Sequence, residues 1–172
     1  MRGTIAVAVG ALLLAGVAAA EPAADTYNLT ANLRARFEVP KPARVPAGAV
    51  GLFTGKAVER ANDRARLTWR LTFSKLSGRA VAAHIHVGRP GTAGGVLVPL
   101  CGPCRNGQRG AATITHAQLR TIRAGRAYVN IHTARNAAGE IRGQVKASKA
   151  AEAGDDSGGS EPPPPTQPPL YP

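Results

Sequence analysis

Three of the chain's four histidines, His84, His86 and His132, are spaced so that they can hold a metal ion. His84 and His86 are separated by one residue. On a β-strand, both side chains therefore leave the same side, about 7 Å apart along it. His132 belongs to another alternating segment, on the side away from Val129 and Ile131. If the two strands are neighbours, three imidazoles converge, and imidazole suits copper, zinc or nickel. The same rings have a framework use: hydrogen bonds to backbone, or to Asn130 and Glu140, that tie the strands together. Hydrolytic chemistry has less support, since Ser74 and Ser77 lack a nucleophile motif and no acidic pair stands near the histidines. His116 falls on a helix cap, apart from the other three.

The two cysteines, Cys101 and Cys104, enclose only Gly102 and Pro103. A disulfide there pins a turn, because so short a loop removes little chain entropy. Glu140 is expected to be structural. It can accept hydrogen bonds from the Arg135-to-Gly139 turn or pair with Arg142 or Arg126 across strands.

The elements that must position these groups are strands. Tyr27, Leu29, Ala31, Leu33, Ala35 and Phe37 alternate with polar neighbours, which predicts a half-buried strand. Ala49 to Val58 reads as a second strand, with Gly51 and Gly55 as bulge points, and Asn62-Asp63 as a turn. Between Arg64 and Phe73 the apolar set Leu67, Trp69, Leu71 and Phe73 faces opposite to Arg66, Thr68, Arg70 and Thr72. Further on, Val81, Ala83, Ile85 and Val87 share one face, and Ala82, His84 and His86 the other. Gly88 to Gly91 is a turn, and Val96 to Leu100 and Ala111 to Thr115 are short strands. Thr115 with Gln118 forms a capping box for one short helical turn, with Leu119 and Ile122 inward and Gly125 as its stop. Ala127, Val129 and Ile131 oppose Tyr128, Asn130 and His132 in the next strand. Glu140 to Lys146 is the last. The sum is an all-β domain of about seven or eight short strands, a sandwich or closed barrel.

Both ends differ from this body. Residues 1–20 carry a basic start, an apolar run from Ile5 to Leu14 and Ala18-Ala19-Ala20, the pattern of a secretory signal peptide. The run is too short to span a bilayer, and no later segment reaches that length. The expectation is an extracytoplasmic protein, secreted or periplasmic, in which an oxidising compartment favours the disulfide. Residues 148–172 turn acidic and then proline-rich, a composition that buries no core and is expected to be disordered. From Glu21 to Lys146 the chain carries 20 basic and six acidic residues. That surplus attracts anionic surfaces or polyanions without naming one. Nucleic acid is not the expected partner, since no reading motif is present and aromatics are few.

Ala83-His84-Ile85-His86-Val87-Gly88, followed by Pro90-Gly91, resembles the first signature of the CHRD domain, the module named for chordin. Leu119, Ile122 to Gly125, Tyr128 to Thr133 and Gly139 to Val145 resemble the second signature in order and spacing. Asn130, Glu140, Arg142 and Gly143 belong to it. The resemblance spans roughly residues 24–147 and implies an immunoglobulin-like, Greek-key β-sandwich. It implies a non-enzymatic binding or structural module, with no partner and no reaction attached. The growth-factor partner of chordin is not implied, because the cysteine-rich repeats that bind it are missing. The histidine arrangement is similar to the copper-binding half of copper/zinc superoxide dismutase. The Cys-Gly-Pro-Cys run is similar to a thioredoxin active site, but it sits between β elements and not at a helix start after a parallel strand.

Overall fold

The computed structural model describes residues 24–151, so the expected signal segment and most of the expected tail lie outside the described residues. The chain is all-β, as its alternation predicts. Nine strands run in order: β1 (Thr26–Arg34), β2 (Val50–Arg60), β3 (Arg64–Ser74), β4 (Ala80–Val87), β5 (Val96–Cys101), β6 (Gln108–Thr115), β7 (Ala127–Thr133), β8 (Ile141–Gln144) and β9 (Lys146–Lys149). One helix, α1 (His116–Arg123), separates β6 from β7. All pairings are antiparallel, in the order β5-β4-β7-β8-β1-β2-β3-β6, with β9 beside β1. The sheet curls around one core that draws Leu29, Leu33, Phe53, Leu67 and Leu71 from one half and Ile85, Val129, Ile131 and Ile141 from the other. Each such side chain contributes roughly 1.5–3 kcal/mol on leaving water.

The clearest expectations hold. In β3, Leu67, Trp69 and Leu71 are buried while Arg66, Thr68 and Arg70 are exposed. The box closing α1 is complete: Gln118 N donates to Thr115 Oγ1 at 3.1 Å, and Thr115 N donates to Gln118 Oε1 at 2.8 Å. Leu119 and Ile122 point inward, and Gly125 follows with φ 66°. Asn62 and Asp63 both take positive φ in the β2–β3 turn.

Other expectations need correction. The first strand stops at Arg34, because Ala35–Phe37 winds into a 3₁₀ turn that leaves Phe37 exposed. Gly51 and Gly55 are not bulges, since β2 pairs without interruption on both sides. The irregularities fall in β4, at Ala80/Ala82 and again beside His84 and His86. The shift at Ala80/Ala82 explains why Val81 is exposed and does not share the inner face of Ala83 and Ile85, while Val87 is exposed at the end of the strand. Glu140 precedes the last strand, which breaks at Val145 into β8 and β9. The strand count among the described residues is therefore nine. Ser148 and Lys149 pair with β1, and Ala150 N donates to Thr26 O at 2.8 Å.

Candidate metal centre

The centre lies on the outer face of the sheet, where β4, β7 and β8 run side by side. Cross-strand pairing puts His132 opposite Ala82, Asn130 opposite His84, and Tyr128 opposite His86. Arg142 and Gln144 continue the rows opposite Asn130 and Tyr128. An outer face would ordinarily be wet, yet every residue of β7 is buried. Loops form the cover. The β4–β5 loop reaches over His86 and Tyr128, and the β7–β8 loop folds back over His132.

Each loop is anchored by an imidazole. His86 Nδ1 lies 3.0 Å from Gly94 O, and His132 Nδ1 lies 2.9 Å from Ala137 O. A carbonyl accepts only, so Nδ1 carries a proton in both rings, and in the neutral tautomer that this selects Nε2 presents its lone pair. His132 Nε2 is 3.1 Å from His84 Nδ1. His86 Nε2 is buried and has no hydrogen-bond partner among the described residues. One ligand nitrogen from each ring lies within 4.8 Å of the others. Tetrahedral coordination at the usual 2.0–2.1 Å metal–nitrogen distance sets ligands about 3.3 Å apart. The His84–His132 spacing nearly matches that, and the cluster needs only a modest contraction to close on an ion.

Their surroundings favour the neutral form of His84 and His132. Burial lowers the pKa of His84, and the neighbouring His132 and His86 lower it further. Burial also lowers that of His132; the bond to Ala137 opposes this, and His86 adds to it. Neutral imidazole is the form that binds metal. A carbonyl accepting the far ring proton is the usual device for orienting such a ligand.

Spacing within the sequence identified the three rings, but not what surrounds them. Tyr128 stacks on His86 with an interplanar angle of 10° and centroids 5.1 Å apart. The Arg142 guanidinium carbon lies 3.3 Å from the centre of the Tyr128 ring, and its Nη2 donates to Arg89 O at 3.0 Å. Tyr128 was legible only as a residue on the same side as His132, and Arg142 only as a cross-strand partner for Glu140. The histidines do not bond to Asn130 or Glu140. Asn130 Nδ2 instead donates to Ala138 O. His116 sits apart, against Arg64 O and Asp63.

Glu140 draws its hydrogen-bond partners from both near and far in the chain. It accepts from Ser77 N at 2.6 Å, from Ser77 Oγ at a very short distance, from Thr133 Oγ1 at 2.6 Å and from Asn136 Nδ2 at 3.1 Å. Asn136 belongs to the Arg135-to-Gly139 turn, which matches one expectation. Among the described residues no ion pair joins Glu140 to Arg142 or Arg126, which corrects the other. Burial pushes the Glu140 carboxyl up, but the hydrogen bonds from Ser77, Thr133 and Asn136 outweigh it and leave the pKa lowered. Gly143 is required by close approach, since a Cβ there would sit 2.3 Å from Asn32 O of β1. The Cys101 and Cys104 sulfurs stand at disulfide distance, 2.11 Å, with Cys101 closing β5 and Cys104 N donating to Ala80 O of β4 at 3.0 Å.

No curated protein and no solved structure matches the chain. The family model of the CHRD domain matches residues 29–145, which include most of β1, both strands that carry the histidines, and the Tyr128-to-Gln144 rows beside them. The chain belongs to the CHRD-domain family.

Proposed function

We propose that this CHRD domain works outside the cytoplasm as a metal-binding module, with His84, His86 and His132 as ligands and copper as the preferred ion. The observation that carries the proposal is the convergence of three imidazoles, two of them oriented by backbone carbonyls. A purely structural frame accounts for the two carbonyl bonds. It does not account for the buried His86 Nε2 with no partner, a costly arrangement unless something occupies that lone pair.

Copper is favoured by the donor set. No thiolate or carboxylate belongs to the cluster, and among divalent ions an all-nitrogen site binds Cu(II) most tightly. When bound, the ion brings Lewis-acid and redox capacity. The chain's own residues hold the ligands, since Gly94 and Ala137 fix two tautomers and Tyr128 fixes the plane of His86. His84 lacks a carbonyl anchor and faces His132 Nε2, so it is the ring that must release its Nδ1 proton contact when the ion enters. The extracytoplasmic setting is supported by the apolar N-terminal run and the paired cysteines.

Isothermal titration of the protein with Cu(II), Zn(II) and Ni(II) tests the proposal. One equivalent of copper at micromolar or tighter affinity, with zinc weaker, is the expected result. Absence of saturable binding by all three ions returns the histidines to the framework.

A further inference from the structure

A second site stands beside the first on the outer face, where β8 and β9 meet β1. In one register, Arg34 is paired with Arg142 and Thr30 with Lys146. Asn32 and Gln144 lie between those pairs. Residues directly opposite in an antiparallel ladder project from the same face. Two facing rows result, with cations at both ends and neutral hydrogen-bonding groups in the middle. They floor a cavity of about 800 Å³ whose walls include Arg36, Phe37, Val39 and the Pro90-Gly91 turn.

Like charges set directly opposite each other on a sheet destabilise it. Arg34 and Arg142 are set that way, and no carboxylate lines the cavity. Glu38 acts electrostatically on Arg142, but it does not line the cavity, and burial pushes its carboxyl up toward the neutral form. Arg142 is itself buried, at 1% exposure, and its Nη1 has no hydrogen-bond partner among the described residues. The arrangement lacks an acceptor with negative charge. Its volume falls in the range of small-molecule sites, roughly 300–1,000 Å³, well above what a bare inorganic ion fills. Phe37, exposed and with the Arg36 guanidinium 4.6 Å from its ring centre, offers an apolar wall at one side.

We infer that this cavity binds an organic oxyanion, a phosphate or carboxylate seated between Arg34, Arg142 and Lys146 with its carbon body against Phe37 and Val39. The inference does not depend on a metal at the histidines. The source of the oxyanion is either a free small molecule or a lipid headgroup, and the two are separable.

The test titrates the full chain calorimetrically with phenyl phosphate and benzoate, using benzylamine as the cationic control. In parallel, phosphatidylcholine vesicles with and without phosphatidic acid are sedimented with the protein. Arg34→Gln and Lys146→Gln remove cations whose side chains lie off the core, so the fold is retained. Arg66→Gln removes an exposed cation on β3, far from the cavity. Saturable binding of phenyl phosphate, weakened about tenfold or more by Arg34→Gln and by Lys146→Gln but unchanged by Arg66→Gln, is expected. Vesicle binding that needs phosphatidic acid and shows the same pattern of variants assigns the headgroup as the source. No saturable binding in either arm, or equal weakening by Arg66→Gln, overturns the inference.

Discussion

Replacing His132 with alanine separates two contributions of one side chain, because its ring holds the β7–β8 loop through Nδ1 and offers Nε2 to the cluster. Without metal, the variant loses a buried hydrogen bond and its packing, so its stability should fall by roughly 1–3 kcal/mol. His84→Ala is the informative companion. His84 is only partly buried and has no backbone anchor, so the metal-free cost should be about 1 kcal/mol or less. Both variants remove a ligand. With free Cu(II) at a hundredfold excess over Kd, the unaltered protein gains about 2.7 kcal/mol. In a body of this size that raises Tm by roughly 10 °C. The assay is thermal unfolding with and without copper, with zinc in parallel. The copper-induced shift should vanish in His84→Ala even though its metal-free Tm stays near that of the unaltered protein. An undiminished shift in His84→Ala means that copper binds elsewhere, and the metal centre is then wrong.

Further outcomes follow from the same geometry. His84 and His132 have lowered folded pKa values, so the unfolded chain takes up more protons at mildly acid pH. Metal-free stability should therefore be complete above about pH 6.5 and decline as pH falls below it, a trend that urea midpoints at pH 7.5 and 5.5 would show and that His84→Ala would flatten. Glu140→Gln keeps the shape but removes a charge that accepts from Ser77, Thr133 and Asn136. It should cost roughly 2–4 kcal/mol in urea unfolding near neutral pH. Because the folded Glu140 pKa is lowered, its contribution is present above its unfolded value and is lost as pH falls below it, so the deficit of the variant should shrink in acid. Reduction of the Cys101–Cys104 pair should cost at most about 2 kcal/mol, the chain-entropy figure for so short a loop, and should leave copper affinity unchanged. A large loss of copper binding on reduction would tie the cysteines to the site.

The strand body was legible because period-two alternation depends on nothing but the pleat. Arg64 to Phe73 shows this, and so does the Thr115-Gln118 box, whose two bonds are local. The histidine cluster was legible for a related reason: spacing places His84 and His86 on one face, and adjacency of two strands brings in His132. The failures have a different physical origin. Val81 alternates correctly, yet an irregularity between Ala80 and Ala82 turns it outward, and such a break is set by the neighbouring strand. Ser77 could not be read as a partner of Glu140, because it lies in a loop that only the folded sheet carries there, whereas the turn holding Asn136 is local. The charge surplus was plain, whereas its focus at Arg34, Arg142 and Lys146 depends on which strands pair.

The outer face of β4, β7 and β8 also explains why one row of residues appears in both sites. A face covered by loops and not by a second sheet cannot be filled with aliphatic side chains, because the loop backbone above it needs hydrogen-bond partners. Imidazole, phenol, amide and guanidinium groups supply them: His86 to Gly94, Tyr128 to the Gly94 amide, His132 to Ala137, Gln144 to Gly88 and Gly125, Arg142 to Arg89. The two imidazoles, the Gln144 amide and the Arg142 guanidinium have more polar atoms than the loops consume. The surplus atoms face one another, as imidazole nitrogens at one end and as guanidinium nitrogen at the other. Tyr128 lies between His86 and Arg142, stacked against both. Any ligand that moves the Arg142 guanidinium therefore presses on the ring that orients His86. Copper affinity measured in the presence of saturating phenyl phosphate should differ from that in its absence, and reciprocity requires phenyl phosphate affinity to change by the same factor when copper is bound. Equal affinities under both conditions would show that the Tyr128 stack insulates the two sites.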